Sequence, residues 1–453
     1  MINYVTASAI YVQQTGDLKL QMSAKLPELD AHYPKDLKLK QTVASERTPV
    51  RRRLEHMFPP IWNMCDTNRQ LMSTITSMDG LDAKSQVIGI ERIVDRPHQF
   101  TADNACYYGQ LTNLGRNSMS LLGTRLREIY VDKLGFLPDR YDEKTIYIRS
   151  SDYPRTQESV QQLVAGGLYP PTKREDDFKL KLRIRDPRDD NMFPNPNCRK
   201  LRTLAKEFNK TVSVLCKDEL EIVSDQLKPY VDTVSLSSHP SANGVLDTLI
   251  SAKTHGFSLP ATVTDDVLQR LEAVVVKEWF YGAMESPVVR RLGMGRLMGD
   301  IRDRMVNRAT RLDKDTPEAD HQLAIYSGHD TTVGPLLIIL NGFDERWPPF
   351  GSSVIFELFE KETAKWFGTK TEHFVRVRYN DKLLELPGCA GSGDHLAEDK
   401  SICTLEAFQK IVKDSIPEDW EQELFSIVKL GQALCLCLWV YMKKIINYFK
   451  QNT

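Results

Sequence analysis

His329 and Asp330 are adjacent polar residues within an otherwise apolar stretch, and an imidazole beside a carboxyl group can transfer protons or stabilise charge. Residues 323–326 before them read as a short buried strand, and residues 333–340 after them are apolar enough to form a helix against a sheet. Thr331 and Thr332 are predicted to cap this helix, whose N-terminus would offer free N–H groups and positive potential to an anion such as phosphate. The alternative interpretation is a helix cap with a surface histidine.

A second stretch of the chain has the same construction and carries an arginine. Residues 145–148 alternate and are rich in β-formers, residues 149–156 form a polar loop that contains Arg155, and residues 157–168 have helical periodicity. Arginine presents a planar set of donors that suits a phosphate group. Ligands of open α/β sheets bind beyond the carboxyl ends of the strands, so both stretches are expected to converge on one anion if their strands share a sheet.

The two stretches together resemble one known family. The strings YIRSSDYPRTQESVQQLVAGGLYPP and YSGHDTTVGPLL, preceded by matching segments at residues 109–112 and 115–116, look like the histidine acid phosphatase family, the acid phosphatase and phytase branch of the histidine phosphatase superfamily. The resemblance runs from about residue 46 to about residue 420. It implies an α/β fold, namely a three-layer sheet-and-helix core of the histidine phosphatase (phosphoglycerate mutase-like) type with an inserted helical cap.

The family's reaction assigns a role to several residues of this chain. In the family, the histidine of an R-H-G-x-R-x-P motif attacks phosphorus, and water then hydrolyses the phosphohistidine. The resemblance implies that Arg47 and Arg155 bind the phosphate oxygens, that His329 adds a donor, and that Asp330 protonates the leaving oxygen. An imidazole can be a nucleophile without a metal, and arginine charges offset those of the transferring group. The expected ligand is a phosphorylated small molecule or other phosphomonoester, with no metal and no cofactor.

The first half of the catalytic motif is missing from this chain. Residues 46–49 fit the end of the motif, but Val43, Ala44 and Ser45 stand where its arginine, histidine and glycine are expected. Ala44 has no lone pair with which to attack phosphorus, and residues 36–42 are largely polar for a strand that leads into the motif. One interpretation is a non-catalytic, phosphate-binding pseudophosphatase. The other is a sequence from which a short piece encoding the strand and the Arg-His-Gly triplet has been lost. The absence of strand and triplet together, beside an intact second half of the motif, favours this second interpretation.

The resemblance and the composition predict how the chain is divided. An α/β core is expected at residues 36–168 and 307–424, a mainly helical cap at 169–306, and extensions without an assigned element at 1–35 and 425–453. Helices are predicted in the cap at residues 200–209, 218–228, 241–255 and 264–281, with residues 290–296 as a turn into a helix at 297–306. Further strands are predicted at residues 354–359 and 374–379.

The overall composition limits the possible partners. With 453 residues, of which 41% are hydrophobic, the chain can bury a sizeable core. A formal net charge of −1 argues against nucleic acid as a partner. Eight cysteines are too few for a disulfide scaffold, although Cys389 and Cys403 are a candidate loop-closing pair if the protein is exported.

The ends of the chain leave its localisation open. No secretory signal is recognised in residues 1–35, although members of the family are commonly exported. Residues 425–444 are mostly apolar, but their uncharged part is shorter than the roughly 20 residues of a membrane span, so a packed or interfacial helix is favoured over membrane association. The natural substrate also stays open among phytate, sugar phosphates, phosphoproteins and non-specific monoesters, because the phosphate site does not determine it.

Overall fold

A computed structural model describes residues 111–310, 321–366, 368–380 and 382–425 and, within residues 1–110, the backbone of four strands. The main sheet has nine strands among these residues, in the order β10-β11-β8-β7-β1-β6-β5, with β2 paired to β7 and β9 paired to β8. The strands are β1 (Asn3–Ala7), β2 (Lys38–Leu39), β5 (Ile146–Ser150), β6 (Leu323–Ser327), β7 (Ser353–Lys365), β8 (Gly368–Tyr379), β9 (Lys382–Leu384), β10 (His395–Leu396) and β11 (Asp399–Thr404). A separate pair is formed by β3 (Gln70–Ile75) and β4 (Gln86–Glu91).

The two strands predicted to end at the site are neighbours in the sheet. β5 and β6 run parallel, with Ile146 opposite Leu323 and Ser150 opposite Ser327. Every residue of both strands is buried, which is typical of parallel strands covered on both faces. Because parallel strands of equal length end together, the loops after Ser150 and Ser327 leave the sheet at the same edge.

The strand beside β6 comes from the start of the chain. β1 pairs in parallel with β6 and in antiparallel with the first residues of β7, so it fills the position between them. It lies within residues 1–35, where the sequence analysis assigned no element. β2 pairs with β7 further along, opposite Phe359 and Glu360. The backbone of β1 therefore completes the sheet next to β6, the strand that precedes His329.

The predicted strands at 354–359 and 374–379 are the inner halves of a longer hairpin. β7 and β8 pair from Val354 opposite Tyr379 out to Lys365 opposite Gly368. The outer half was missed because its residues are mostly polar and carry no apolar alternation; Trp366 at its tip is 94% exposed. Beyond β8, a disulfide joins Cys389 to Cys403, which confirms the predicted pair.

Helices cover both the sheet and the site. Those nearest the sheet are α1 (Asn113–Arg127), α2 (Pro154–Gln161), α7 (Pro287–Thr310), α8 (Asp330–Ile339) and α9 (Leu405–Lys413); a short helix, α10 (Trp420–Phe425), follows. A second group, which we call the cap helices, comprises α3 (Arg199–Leu215), α4 (Lys217–Leu227), α5 (Ala242–Thr254) and α6 (Asp265–Glu285). The cap helices share a hydrophobic cluster separate from the larger one around the sheet. The exact core and cap boundaries stay a prediction.

The predicted turn at residues 290–296 is wrong, because α7 runs through it without a break. Glycine lowers helix propensity, and the glycines of this segment led to the error. Their role is close packing: a Cβ on Gly295 would lie 2.0 Å from the carbonyl oxygen of Ser415 and 2.8 Å from Pro417 Cδ. Gly295 therefore lets the backbone after α9 approach the helix.

This contact predicts opposite effects for two glycines of one helix. Gly295→Ala is expected to lower the free energy of unfolding by about 1–3 kcal/mol, because the backbone at Ser415 must move. Gly293→Ala is the matched control, since its Cβ would meet only Pro194, at 3.7 Å, and alanine gains about 0.5–1 kcal/mol in a helix. Urea denaturation of both variants measures the difference, and equal stabilities would contradict the packing role.

Among the described residues, no helix is both long and apolar enough to span a bilayer. The apolar run at 425–444 lies, apart from Phe425 at the end of α10, outside these residues.

Candidate functional site

The two polar loops meet through direct hydrogen bonds. Ser151, after β5, places its Oγ 2.9 Å from Nε2 of His329, after β6. The Ser151 N–H donates to the Ser327 carbonyl at 3.1 Å, and the Ser327 hydroxyl donates to the Thr156 carbonyl at 2.7 Å. These bonds run between the two strand ends and the start of α2. The His-Asp stretch and the arginine stretch are thereby brought to one place.

His329 is held rigidly at the start of α8. It is the N-cap residue, and its backbone N–H donates to Thr332 Oγ1 at 2.8 Å. Thr332 therefore takes part in capping the helix, as predicted, although the N-cap residue itself is His329, because α8 already begins at Asp330. The imidazole is 7% exposed, and its ring meets the edges of Tyr153 and Phe193 at centroid distances of 5.0 and 5.4 Å.

Asp330 is the first residue of α8 and is 7% exposed. Its Oδ1 accepts the N–H of Thr331 at 2.7 Å, which fixes the carboxyl group at the helix N-terminus. A negative charge is stabilised at such a position by the helix dipole.

Arg155 is the second residue of α2, not a loop residue as predicted. The helix begins at Pro154, because proline lacks an N–H and its fixed φ suits the first helical position. The Arg155 guanidinium lies over the ring of Tyr153, with Cζ 4.9 Å from the centroid. Since the same ring contacts His329, Arg155 and His329 flank one tyrosine. Two other predicted positions, Arg47 and Ala44, lie outside the described residues.

Several residues at the site were missed by the sequence analysis. Ser151 and Tyr153 stand in the matched string, and their position between a strand end and Arg155 could have indicated contact with the ligand. Phe193 comes from the long loop before α3, and nothing in its sequence context predicts its place. The loop is attached to α8 by a hydrogen bond from the Thr332 hydroxyl to the Met192 carbonyl.

Arg149 is a second arginine of the matched string, but its guanidinium is held in buried hydrogen bonds within the protein. It is 1% exposed and donates from Nη1 to Asp300 Oδ2 on α7 at 3.1 Å and from Nη2 to Asn191 Oδ1. Asp300 also accepts from Arg185 and Asn191, each at 3.1 Å. These contacts tie the end of β5 to α7 and to the loop that carries Phe193.

A buried ion pair positions α2. Arg116 on α1 lies 2.6 Å from Glu158 on α2, and the two side chains are 9% and 16% exposed. Glu158 follows Arg155 by three residues, so it lies one helical turn further along. The pair holds the first turn of α2, and with it Arg155, in a fixed orientation relative to the sheet.

A cavity of about 620 Å³ opens next to His329. Tyr153 and Phe193, which contact the imidazole, also line this cavity, as does Thr331. Its other walls come from α3, α6, α7 and α8. In the described part of the chain, no three His, Cys, Asp or Glu side chains form a group that could hold a metal ion.

Comparisons with known proteins agree with this arrangement. The sequence profile of the histidine phosphatase superfamily (branch 2) matches residues 38–380. A protein described as a probable acid phosphatase from Schizosaccharomyces pombe is 30% identical over 465 positions, which cover 90% of this chain and 98% of that protein. Prostatic acid phosphatase from Homo sapiens is 28% identical over 342 positions, covering 70% of this chain and 79% of that protein. The fold is similar to that of Hafnia alvei phytase in its apo form, with a TM-score of 0.51 and 16% identity over 71% of this chain and 90% of that chain.

Proposed function

Because this chain belongs to the histidine phosphatase superfamily (branch 2) and has acid phosphatases among its relatives, we propose that Arg155 and His329 bind the phosphate group of a phosphomonoester, with Asp330 beside the leaving oxygen. Its fold is the α/β type of the histidine acid phosphatases and phytases. The observation that carries the proposal is the 2.9 Å contact between Ser151 Oγ and His329 Nε2, because it joins the two stretches that the family places at the phosphate.

The charges and dipoles at this edge of the sheet favour an anion. Arg155 supplies a guanidinium, and His329 supplies an imidazole whose charge depends on pH. Both α2 and α8 begin here, and the N-terminus of a helix attracts negative charge. The N-cap residue of α2, Tyr153, makes no side-chain cap bond, so its side chain does not occupy the first N–H groups of that helix.

We further propose that the chain as written binds phosphate without turnover. The family reaction needs an imidazole that attacks phosphorus, and Ala44 stands at its position. Asp330 can protonate a leaving oxygen only after that attack has begun. The same fold with the arginine, histidine and glycine in place would hydrolyse phosphomonoesters, as the family resemblance implies.

A thermal shift titration with inorganic phosphate or tungstate tests the binding site. Saturating ligand is expected to raise the melting temperature of the unaltered chain, because it binds the folded state only. Arg155→Ala is expected to weaken binding by about 10- to 100-fold, since a charge-assisted hydrogen bond is worth about 1.5–3 kcal/mol. The control is Arg140→Ala, because Arg140 precedes the amino end of β5 and bonds to Glu175, away from the edge that carries the site.

The titration has an outcome that would overturn the proposal. If phosphate does not stabilise the unaltered chain, and Arg155→Ala and Arg140→Ala behave alike, these residues do not form a phosphate site.

A further inference from the structure

The cavity beside His329 is positioned to receive the part of a ligand that is attached to the phosphate. Tyr153 and Phe193 contact the imidazole and also line the cavity, whereas Arg155, His329 and Asp330 are not part of its described lining. Thr331, next to Asp330, also lines it. A phosphomonoester bound at Arg155 and His329 would place its organic group in this cavity if that group extends past Tyr153 and Phe193.

The lining of the cavity is mainly apolar. Five aromatic side chains contribute to it, and its remaining apolar residues are aliphatic side chains, prolines and a methionine. The aromatic residues are Tyr153, Phe193, Phe208, Trp279 and Phe280. Arg202 and Glu278 are the charged residues among the described lining. Such a surface favours an apolar group over one covered with further phosphates, which would have to give up strong hydration.

Glu278 is the unusual member of this lining. Its Oε2 atom is buried and has no hydrogen-bond partner among the described residues. Burial raises the pKa of Glu278 to about 7, which reflects the cost of an ion in these surroundings. Arg202, across the cavity on α3, is exposed, so water solvates its charge. A ligand that brings a hydrogen-bond donor to the part of the Glu278 carboxyl group that lines the cavity would give this group a partner.

We propose that this cavity binds the organic group of the phosphomonoester, and that this group has an apolar body and an amino group that donates to Glu278. This inference rests on the proposed phosphate site. An ammonium group pairs with the carboxylate by charge as well as by hydrogen bonding, and the faces of Trp279 and its aromatic neighbours are attractive to a cation. The substrate class is thus the phosphate esters of amino alcohols.

Calorimetry with two series of phosphonates tests the inference on the full chain. One series consists of straight alkylphosphonates of increasing length, and the other carries an amino group at the far end of the same alkyl chains. At about pH 8 the amino compound of the best length is expected to bind about tenfold more tightly than its plain counterpart, a difference that corresponds to about 1.4 kcal/mol. The advantage should shrink as the pH falls below about 7, because Glu278 becomes protonated. Arg202 and Tyr153 are the other charged or titratable side chains of the described lining.

Two variants of the same helix assign the effect to Glu278. Glu278→Gln is expected to abolish the preference for the amino compound while inorganic phosphate binds as before. Glu285→Gln is the matched control, because Glu285 lies on α6 too but is exposed and outside the cavity lining. Melting temperatures close to that of the parent confirm that both variants fold.

The possible failures can be told apart. If inorganic phosphate does not bind the parent chain, the phosphate site and the cavity assignment both fail, because the second rests on the first. If phosphate binds but the amino compounds gain nothing over plain alkylphosphonates, the amino-group assignment alone is overturned. A preference that survives in Glu278→Gln would also overturn it.

Discussion

We expect this chain to gain acid phosphatase activity when two changes are combined. Residues 1–9 are deleted, and residues 40–45 are replaced with an apolar strand that ends in Arg-His-Gly. The unaltered chain is expected to show no turnover of an aryl phosphate, because Ala44 cannot attack phosphorus. The restored histidine should raise the rate by about 10⁶-fold, the size of effect seen when an enzyme's nucleophile is removed. Release of inorganic phosphate at acidic pH is the measurement.

The deletion is needed because one edge of β7 cannot pair with two strands. β1 pairs with Ser353, Val354 and Ile355 of that edge. β2 pairs with the same edge further along, where Leu39 lies opposite Phe359. If a strand continued from Leu39 in this antiparallel register, residue 43 would lie opposite Ile355. A restored strand that ends in Arg-His-Gly therefore needs the position that β1 now fills.

A matched control separates chemistry from folding. The same redesigned chain with Arg-Ala-Gly in place of Arg-His-Gly should fold equally well and remain inactive. Phosphatase activity in the unaltered chain that His329→Ala or Asp330→Asn abolishes would contradict the account, because another group would then perform the attack.

Glu357→Leu is expected to lower the free energy of unfolding by about 3–5 kcal/mol, the usual effect of removing one partner from a buried ion pair. Glu357 on β7 and Arg376 on β8 are both fully buried, with Oε2 and Nε 2.5 Å apart. Tyr130 adds a hydrogen bond from its hydroxyl to Glu357 Oε1 at 3.0 Å. The substitution leaves a guanidinium in the core without its carboxylate, and urea denaturation measures the loss.

Two further variants test whether burial causes the effect. Glu372→Leu breaks a pair with Lys370 on the same hairpin, and there the side chains are 38% and 51% exposed. Such a surface pair contributes about 0–1 kcal/mol, so this variant should be nearly neutral. Glu357→Leu combined with Arg376→Met should recover much of the lost stability. A loss in Glu357→Leu no larger than in Glu372→Leu would refute the assignment.

Local patterns predicted the elements that carry the site. The apolar run before His329 and the β-rich run before Arg149 identified β6 and β5, because a fully buried parallel strand leaves a continuous apolar signal. The strand-to-helix change after each of them predicted that polar residues would face a ligand. The family resemblance, now confirmed, supplied the expectation that Arg155 and His329 act together.

Long-range packing explains what the sequence did not predict. The sequence of β1 contains no pattern that indicates a partner strand more than 300 residues away. Its position in the sheet depends on the open edges of β6 and β7, between which it pairs. The glycines of α7 indicated a turn because the backbone that packs on Gly295 is distant in sequence. Phe193 reaches His329 only because its loop is attached to Arg149 and α8.

The two separate hydrophobic clusters have a consequence for how the molecule opens. One surrounds the sheet, the other lies within the cap helices, and between them a small cluster contains Val276, Phe280, Ala283 and Ile338. Phe280 and Ala283 also line the cavity beside His329. Separating the two units would break this cluster together with a second one, formed by Cys198, Leu201 and Leu292, and the hydrogen bonds from Arg346 to Glu272. We expect a movement at this boundary to change the shape of the cavity, because Phe280 and Ala283 belong to both.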